Sequence, residues 1–478
     1  MDQIKKEELV YIGIDIGTTA TKAVCFDGQG NVIQQISYSY AMYHPKLNWT
    51  IQKPQEILDT VLKCINEITK DIHPQFISFS GAMQSIIAID QTGKPLTDVI
   101  VWADNRANEI AEKIKTSEKG NHFYQKTGIP IHPFSPFTKI AWLKEFDSDI
   151  FSKTYKFIGI KEYIWHHLTG EYAIDTSMAS GTGFLNIHTL EWDDEILEFL
   201  KIKPQQLPTI CKVTHQAKGL SDNFLYILGG GDGILANLGT GAMDKGFMAL
   251  TIGTSGAVRL PIDQPFLDPQ MRTQCYHFEN SQYLTLGAVN NGAIVLQWLK
   301  EAILKTTIPY EQLFEEAEKI PAGSEGLLFV PYLLGERAPI WDASAQGTLL
   351  GMQIIHTQAH LVRATLEGIL FGLFQITEIL LPDPEKRKET IIMASGGFGK
   401  SEFWLQIVAD IFQMKVETSQ TIEGSAWGAV LIGMKAIDST IMNQTKTGKI
   451  FFPNQAHQKV YADSFSKFKK VHSLLKGL

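Results

Sequence analysis

Tyr11-Ile12-Gly13-Ile14-Asp15-Ile16-Gly17-Thr18-Thr19 ends an apolar run in a carboxylate, a glycine and two hydroxyls. A carboxylate in that position is costly unless it meets a cation or hydrogen-bond donors. A tight glycine turn aims backbone N–H groups and hydroxyls at one spot, which suits a phosphate. The chemistry these residues could do is nucleotide binding: Asp15 holding Mg²⁺ through water, with Gly17, Thr18 and Thr19 around the phosphates. A turn aspartate that bonds its own backbone would read the same way locally. Half a chain later, Met248-Ala249-Leu250-Thr251-Ile252-Gly253-Thr254-Ser255 nearly repeats the run. Two copies suggest two similar lobes with a phosphate held between them. Aligned on Gly17 and Gly253, Asp15 falls opposite the uncharged Thr251, so the first hairpin would serve metal and phosphate and the second phosphate alone.

Three further clusters could carry chemistry. Gly229-Gly230-Gly231-Asp232-Gly233 follows an apolar run and opens a helical one. Asp232 could accept a hydroxyl proton as that oxygen attacks a γ-phosphate, or simply cap the helix. No acidic residue follows at dinucleotide-fold spacing. Met393-Ala394-Ser395-Gly396-Gly397-Phe398 is another strand-to-helix turn, where bare backbone could lie against adenosine or the helix could pack closely on a sheet. Trp102-Ala103-Asp104-Asn105-Arg106 offers an aromatic face, a carboxylate and a guanidinium, a set used for sugars; a capped helix start is the simpler alternative. The histidines show no metal-ligand spacing.

The elements that must position these groups follow from periodicity and turn residues. Leu9–Asp15, Thr21–Phe26 and Asn31–Ser37 read as an antiparallel meander, Pro54–Thr69 as an amphipathic helix, and Phe76–Phe79 and Ser85–Asp90 as strands. Helices are expected near Asn105–Lys115 and Phe137–Phe146, a Gly/Ser loop at Ser177–Gly183, then strand Phe224–Leu228 and helix Gly233–Gly239. The order then repeats: hairpin Ala249–Leu260, strand Tyr283–Leu286, helices Gly292–Glu301 and Thr357–Ile379, strand Thr390–Met393 and helix Ser401–Phe412. The 442–478 tail reads as loop and helix. A chain of 478 residues exceeds what one core usually serves; the expected division is 1–245 and 246–478.

Composition excludes several classes. A net charge of −8 with scattered Lys and Arg offers no nucleic-acid surface. No stretch is apolar enough to span a bilayer, and the charged first nine residues carry no secretory signal. Cys25, Cys64, Cys211 and Cys275 form no CxxC pair, which points to a reduced, cytoplasmic setting and no zinc site.

Together these elements resemble the FGGY family of carbohydrate kinases. Gly13–Thr19 is similar to its first phosphate motif, and Pro136-Phe137-Thr138-Lys139-Ile140-Ala141-Trp142-Leu143 to its N-terminal pattern. Gly347-Thr348-Leu349-Leu350-Gly351-Met352, followed after seven residues by His360-Leu361-Val362-Arg363-Ala364-Thr365-Leu366-Glu367, resembles its second pattern. The resemblance covers roughly residues 8 to 440, in motif order. It implies an α/β fold of two actin-like, ribonuclease H-like lobes, each with a mixed five-stranded sheet, around a central ATP and sugar cleft. It implies a sugar-binding, catalytic N-terminal lobe and a nucleotide-binding C-terminal lobe. Asp232 would be the catalytic base, and Asp15 with Asp232 would handle Mg²⁺. Gly17, Thr18, Thr19, Gly253 and Thr254 would contact phosphates; Gly396, Gly397 and Ser401 would line the adenosine side, with Gly292 and Gln297 opposite. Ala82, Met83, Gln84, Trp102, Asp104 and Arg106 would meet the sugar, Arg106 a substrate carboxylate.

Within the family, Gly231–Gly239, Thr251–Arg259 and Gly335-Glu336-Arg337-Ala338-Pro339-Ile340-Trp341 look most like the gluconate-phosphorylating branch. That implies ATP-dependent phosphorylation of a sugar acid, D-gluconate to 6-phosphogluconate, with ATP hydrolysis slow in the absence of sugar. Xylulose or another ketose or polyol is the alternative substrate. Gln84, Ala293 and Gln346 depart from residues common in relatives. An ATP-driven switch of the actin or heat-shock type would share the hairpins but not the Trp102–Arg106 cluster or the Gly347–Glu367 pattern. Family members are often dimers, so a homodimer is implied, although no interface is visible in the sequence.

Overall fold

Tyr11, Ile12, Ile14 and Ile16 are buried along strand β1 (Val10–Ile16), a near-continuous apolar run of the kind covered on both faces. The chain turns at Gly17, whose N–H donates to Ala20 O at 3.0 Å, and returns as β2 (Ala20–Asp27), then β3 (Val32–Ser39), both antiparallel. Parallel strands β4 (Ile77–Gly81) and β6 (Leu225–Gly231) extend the sheet on the other side of β1. The short β5 (Gln216–Lys218) pairs antiparallel on the edge of β6, so the order is β5-β6-β4-β1-β2-β3. The five-strand core expected from sequence is thus lengthened by one edge strand. This computed structural model describes residues 9–421, 423–437 and 447–475. Most of the charged N-terminal segment and residues 442–446 and 476–478 of the tail lie outside the described residues.

Helices cover both faces of the sheet. Helix Pro54–Ile68 lays Ile57, Leu58, Val61, Cys64, Ile65 and Ile68 into one core with Ile12, Ile14 and Ile16. Gly13, on the opposite face, meets helix Gly424–Ile437: a Cβ there would lie 2.2 Å from the Ala426 carbonyl oxygen. That helix also packs on helix Asp232–Gly239, with Gly428 closing to 2.0 Å of the Leu235 oxygen by the same measure. Only glycine allows backbones so near. The chain therefore forms two compact units that are not two continuous halves. The first comprises Met1–Gly241, Ile262–Leu284 and Thr421–Thr445; the second Ala242–Pro261, Thr285–Gln420 and Lys446–Leu478.

The second unit repeats the plan. β7 (Phe247–Ile252) and β8 (Gly256–Ile262) form the second hairpin, and β10 (Ile391–Ser395) runs parallel to β7. With β9 (Gln282–Val289), β11 (Val416–Ser419) and β12 (Thr447–Phe451), the order within this unit is β9-β8-β7-β10-β11-β12. β12 lies in the tail read as loop and helix; it pairs antiparallel with β11, and helix Gln458–Leu475 follows. The Gly347–Glu367 pattern contributes structure here. Arg363 Nε donates to Glu367 Oε1 at 2.9 Å, and Tyr461 Oη to the same oxygen at 3.0 Å, all buried.

Candidate active site

Register brings the first set of sequence candidates together. Asp15 on β1 and Gly230 on β6 are each level with Ser80 on β4, the strand between them. Neighbouring strands lie about 4.8 Å apart, so the Asp15 and Gly230 backbones are separated by roughly 10 Å, and Asp232 follows two residues on, past the carboxyl end of β6. Ser80 Oγ donates to Asp15 Oδ1 at 2.8 Å. Burial pushes the Asp15 carboxyl upward, opposed by the Ser80 hydrogen bond and the Lys22 ammonium. Lys22 pairs with Glu423 at 2.9 Å. Asp232 is the first residue of its helix, partly exposed, with Oδ1 accepting from Gly233 N–H at 2.6 Å. Gly231, not Asp232, is the cap residue.

Among the described residues no three His, Cys, Asp or Glu side chains cluster as a metal cage. Two carboxylates at the same edge of the sheet, two strands apart, instead fit Mg²⁺, which keeps several waters and takes further oxygens from substrate phosphates.

The expected sugar-contacting residues lie in the same unit. Ala82 and Met83 are buried just after β4. Gln84 has φ +68° and donates from Nε2 to Tyr276 Oη at 2.6 Å. Its carbonyl accepts from Lys139 Nζ at 2.7 Å. Trp102 Nε1 donates to Thr18 Oγ1 at 3.2 Å, tying this region to the first hairpin loop. Asp104, fully buried, takes Arg106 Nε and Nη2 at 2.8 Å each, and Thr50 N–H at 2.6 Å. The Arg106 guanidinium lies over Trp49 at 3.6 Å. The two residues are thus a built, bidentate pair, and the helix after them starts only at Asn108.

Sequence reasoning gave no role to Lys139 or Tyr276. Lys139 is fully buried among the Gln84, Phe134 and Ile100 carbonyls, and burial pulls its ammonium down to about 7. The signal was present: a lysine within the buried first turns of helix Pro136–Phe146, between Thr138 and Ile140. Ser177–Gly183, expected as loop, holds a helical turn at Thr176–Ser180, because Asp175 caps it by accepting the Ser177 and Met178 N–H groups.

In the second unit a pocket of about 540 Å³ gathers Gly253, Thr254, Gln297, Gly397 and Ser401. The carbonyls of Gly253 and Thr254 accept the Ala293 and Gly292 N–H groups at 2.8 and 3.2 Å, seating the next helix on the hairpin loop. Gly396 has φ +99°, and a Cβ there would lie 2.6 Å from the Ile252 oxygen. Thr251 and Ser395 hydroxyls meet at 2.9 Å, the counterpart of Asp15 and Ser80. Ser401 Oγ is engaged as helix cap to Trp404 N–H at 3.2 Å, and Gln297 Nε2 donates to Glu301 at 3.0 Å. Gly292 and Gly396 flank this pocket through their neighbours rather than lining it. Its apolar wall includes Tyr310, Phe314, Phe398 and Trp404, the first two on helix Tyr310–Glu318, which sequence reasoning left without a role.

Two related sheets, each with a glycine–hydroxyl hairpin, and an aspartate heading a helix two strands from a second aspartate suit an ATP-dependent phosphotransferase. Residues 10–244 match the N-terminal domain and 248–437 the C-terminal domain of the FGGY family of carbohydrate kinases. The chain belongs to that family; it is a carbohydrate kinase, not a sugar-independent switch. A gluconokinase of Bacillus subtilis (strain 168) is 42% identical over 448 residues, spanning 89% of this chain and 87% of the relative. A xylulose kinase of Staphylococcus xylosus is 30% identical, spanning 96% of this chain and 99% of the relative. The solved gluconate kinase of Lactobacillus acidophilus has a TM-score of 0.94 at 36% identity, covering 98% of this chain and 99% of that one. Among the described residues no helix is long and apolar enough to cross a membrane.

Proposed function

We propose that this kinase transfers the γ-phosphoryl group of ATP to the 6-hydroxyl of D-gluconate, giving 6-phosphogluconate and ADP. The observation that carries the chemistry is the placing of Asp15 near the end of β1 and Asp232 just past the end of β6, on the two strands that flank β4, with Asp15 and Gly230 both level with Ser80. Identity favours gluconate: 42% to a gluconokinase against 30% to a xylulose kinase. Asp232 accepts the hydroxyl proton as that oxygen attacks the γ-phosphorus and the bond to the β-phosphate breaks. Thr18, Thr19 and Thr254 present donors to the phosphates, and Gly17 and Gly253, whose N–H groups close the hairpin turns onto Ala20 and Ser255, let the phosphates approach the backbone. Gly396, Gly397 and Ser401 receive the adenosine, with Gly292 and Gln297 opposite and the aromatic wall beside the base. Asp15 and Asp232 would hold Mg²⁺, which would supply charge neutralisation at the phosphates. Ala82, Met83, Gln84, Trp102, Asp104 and Arg106 shape the sugar side. With Nε and Nη2 committed to Asp104, Arg106 has Nη1 left for a substrate carboxylate. The sugar side and base fall in residues 1–245 and the nucleotide side in 246–478. A cytoplasmic homodimer is the proposed working form.

A specific observation supports a second substrate. A ligand-bound xylulose kinase of Lactobacillus acidophilus has a TM-score of 0.93 at the same 36% identity. ADP release measured with gluconate, xylulose, ribulose and glycerol decides between them. Gluconate should give the highest kcat/KM; no turnover with gluconate would overturn the assignment, and a preference for xylulose would establish the second.

A further inference from the structure

Strand β6 breaks register with β4 between Ile227 and Gly230, and Gly229 in that break has φ +63°. Within the break and just past it, two backbone groups of the strand are satisfied by buried side chains. The Leu228 carbonyl accepts from Lys161 Nζ at 2.7 Å, and the Gly231 N–H donates to Ser177 Oγ at 3.0 Å. These side chains are themselves joined. Ser177 Oγ donates to Asp175 Oδ1, and Asp175 Oδ2 faces Lys161 Nζ as an ion pair at 2.7 Å. Lys161, Asp175 and Ser177 are each 1% exposed or less. On another side Met83 closes over Gly231, where a Cβ would meet its Sδ at 2.7 Å. The next residue is Asp232.

Stability is a poor reason for this arrangement. Desolvating two charges offsets most of their attraction, and apolar replacements of buried pairs are often neutral or stabilising. What the chain Lys161–Asp175–Ser177 does hold is backbone: it grips β6 inside its bulge, at Leu228, and after it, at Gly231, the end from which Asp232 follows. We propose that Lys161, Asp175 and Ser177 are positioning residues that fix the carboxyl end of β6 and so aim the Asp232 carboxylate. The inference rests on Asp232 as proton acceptor. Small misplacements of a reacting group, about 1 Å, cost about 100-fold in rate, so a partial loosening here should be felt in turnover before binding.

The test is a double-mutant cycle in the full chain with ATP and gluconate. Ser177→Ala should lower kcat by roughly 10-fold or more while both KM values stay within about twofold. In an Asp232→Asn background the same change should alter the residual kcat less than about twofold, because the residue it positions no longer acts. A merely structural hydroxyl would lower kcat by the same factor in both backgrounds, and that result, or a kcat within about twofold of the parent, overturns the proposal. If Ser177→Ala melts early, Asp175→Asn keeps the Oδ1 acceptor, removes the charge facing Lys161, and is read in the same cycle. Near-parent turnover in Asp232→Asn alone would instead sink the proton-acceptor reading, and this inference with it.

Discussion

Asp15 and Thr251 occupy equivalent places in the two hairpins, and each touches a serine on the adjoining parallel strand, Ser80 or Ser395. One carboxylate is the difference between them, and in the first copy a second carboxylate, Asp232, follows the strand two away. Asp15 and Asp232 both lie in the first unit. Asp232→Asn should lower kcat about 100-fold or more while leaving gluconate affinity close to the parent, read by steady-state kinetics and calorimetric titration. Turnover close to the parent would remove Asp232 as the base. Asp15, Gly17, Thr18, Thr19, Asp232, Gly253 and Thr254 stand out in the sequence as candidates because they sit in short glycine-rich runs with hydroxyls or a carboxylate. Lys139, Lys161, Asp175 and Ser177 do not. Each is a single polar residue in an unremarkable local context, and its meaning comes from partners 2 to 67 residues away.

Elements carry information that single residues do not. The helix Ile160–Thr169 begins with Glu162 at its third position, whose Oε2 accepts from Gly159 N–H at 2.9 Å while Oε1 is buried without a hydrogen-bond partner. Burial pushes this carboxyl up to about 7 from the ordinary 4.5, against the pull of Lys161. The folded chain thus holds a proton there that the unfolded chain releases first. Its contribution to stability is full below about pH 4.5 and is lost as pH rises through about 7. Urea unfolding at pH 5 and pH 8 should show the parent losing roughly 2–3 kcal/mol more than Glu162→Gln over that interval; equal losses would show that Glu162 ionises normally. Hairpins, long amphipathic helices and parallel strands were read to within a few residues, because periodicity and turn glycines are local. The turn at Thr176–Ser180 and strand β12 were misread: one depends on a capping aspartate outside the Gly/Ser run, the other on pairing with a distant strand.

At the scale of the molecule, chain order and spatial order part company. Helix Gly424–Ile437 comes from the C-terminal half yet packs against Gly13 and Leu235 of the first unit. A fragment of residues 1–245 would leave that face of the sheet and of helix Asp232–Gly239 open to water. It should show no cooperative thermal transition by circular dichroism, and a sharp transition from that fragment would refute the dependence. No local pattern announces this, since the helix itself reads as an ordinary apolar one and only the glycines at both sides of the contact record the close approach.

The same helix gives biosynthesis a timetable. A ribosome makes the first 241 residues and then adds about 180 more before the missing layer can emerge. At about 5–20 residues per second that is some 10 to 40 seconds. Throughout this interval the nascent sheet has a finished meander and an uncovered face. The unit that is encoded first is completed nearly last, so its early strands must wait, in the company of chaperones or of their own unfinished successors, for a segment translated after most of the second unit has already left the tunnel.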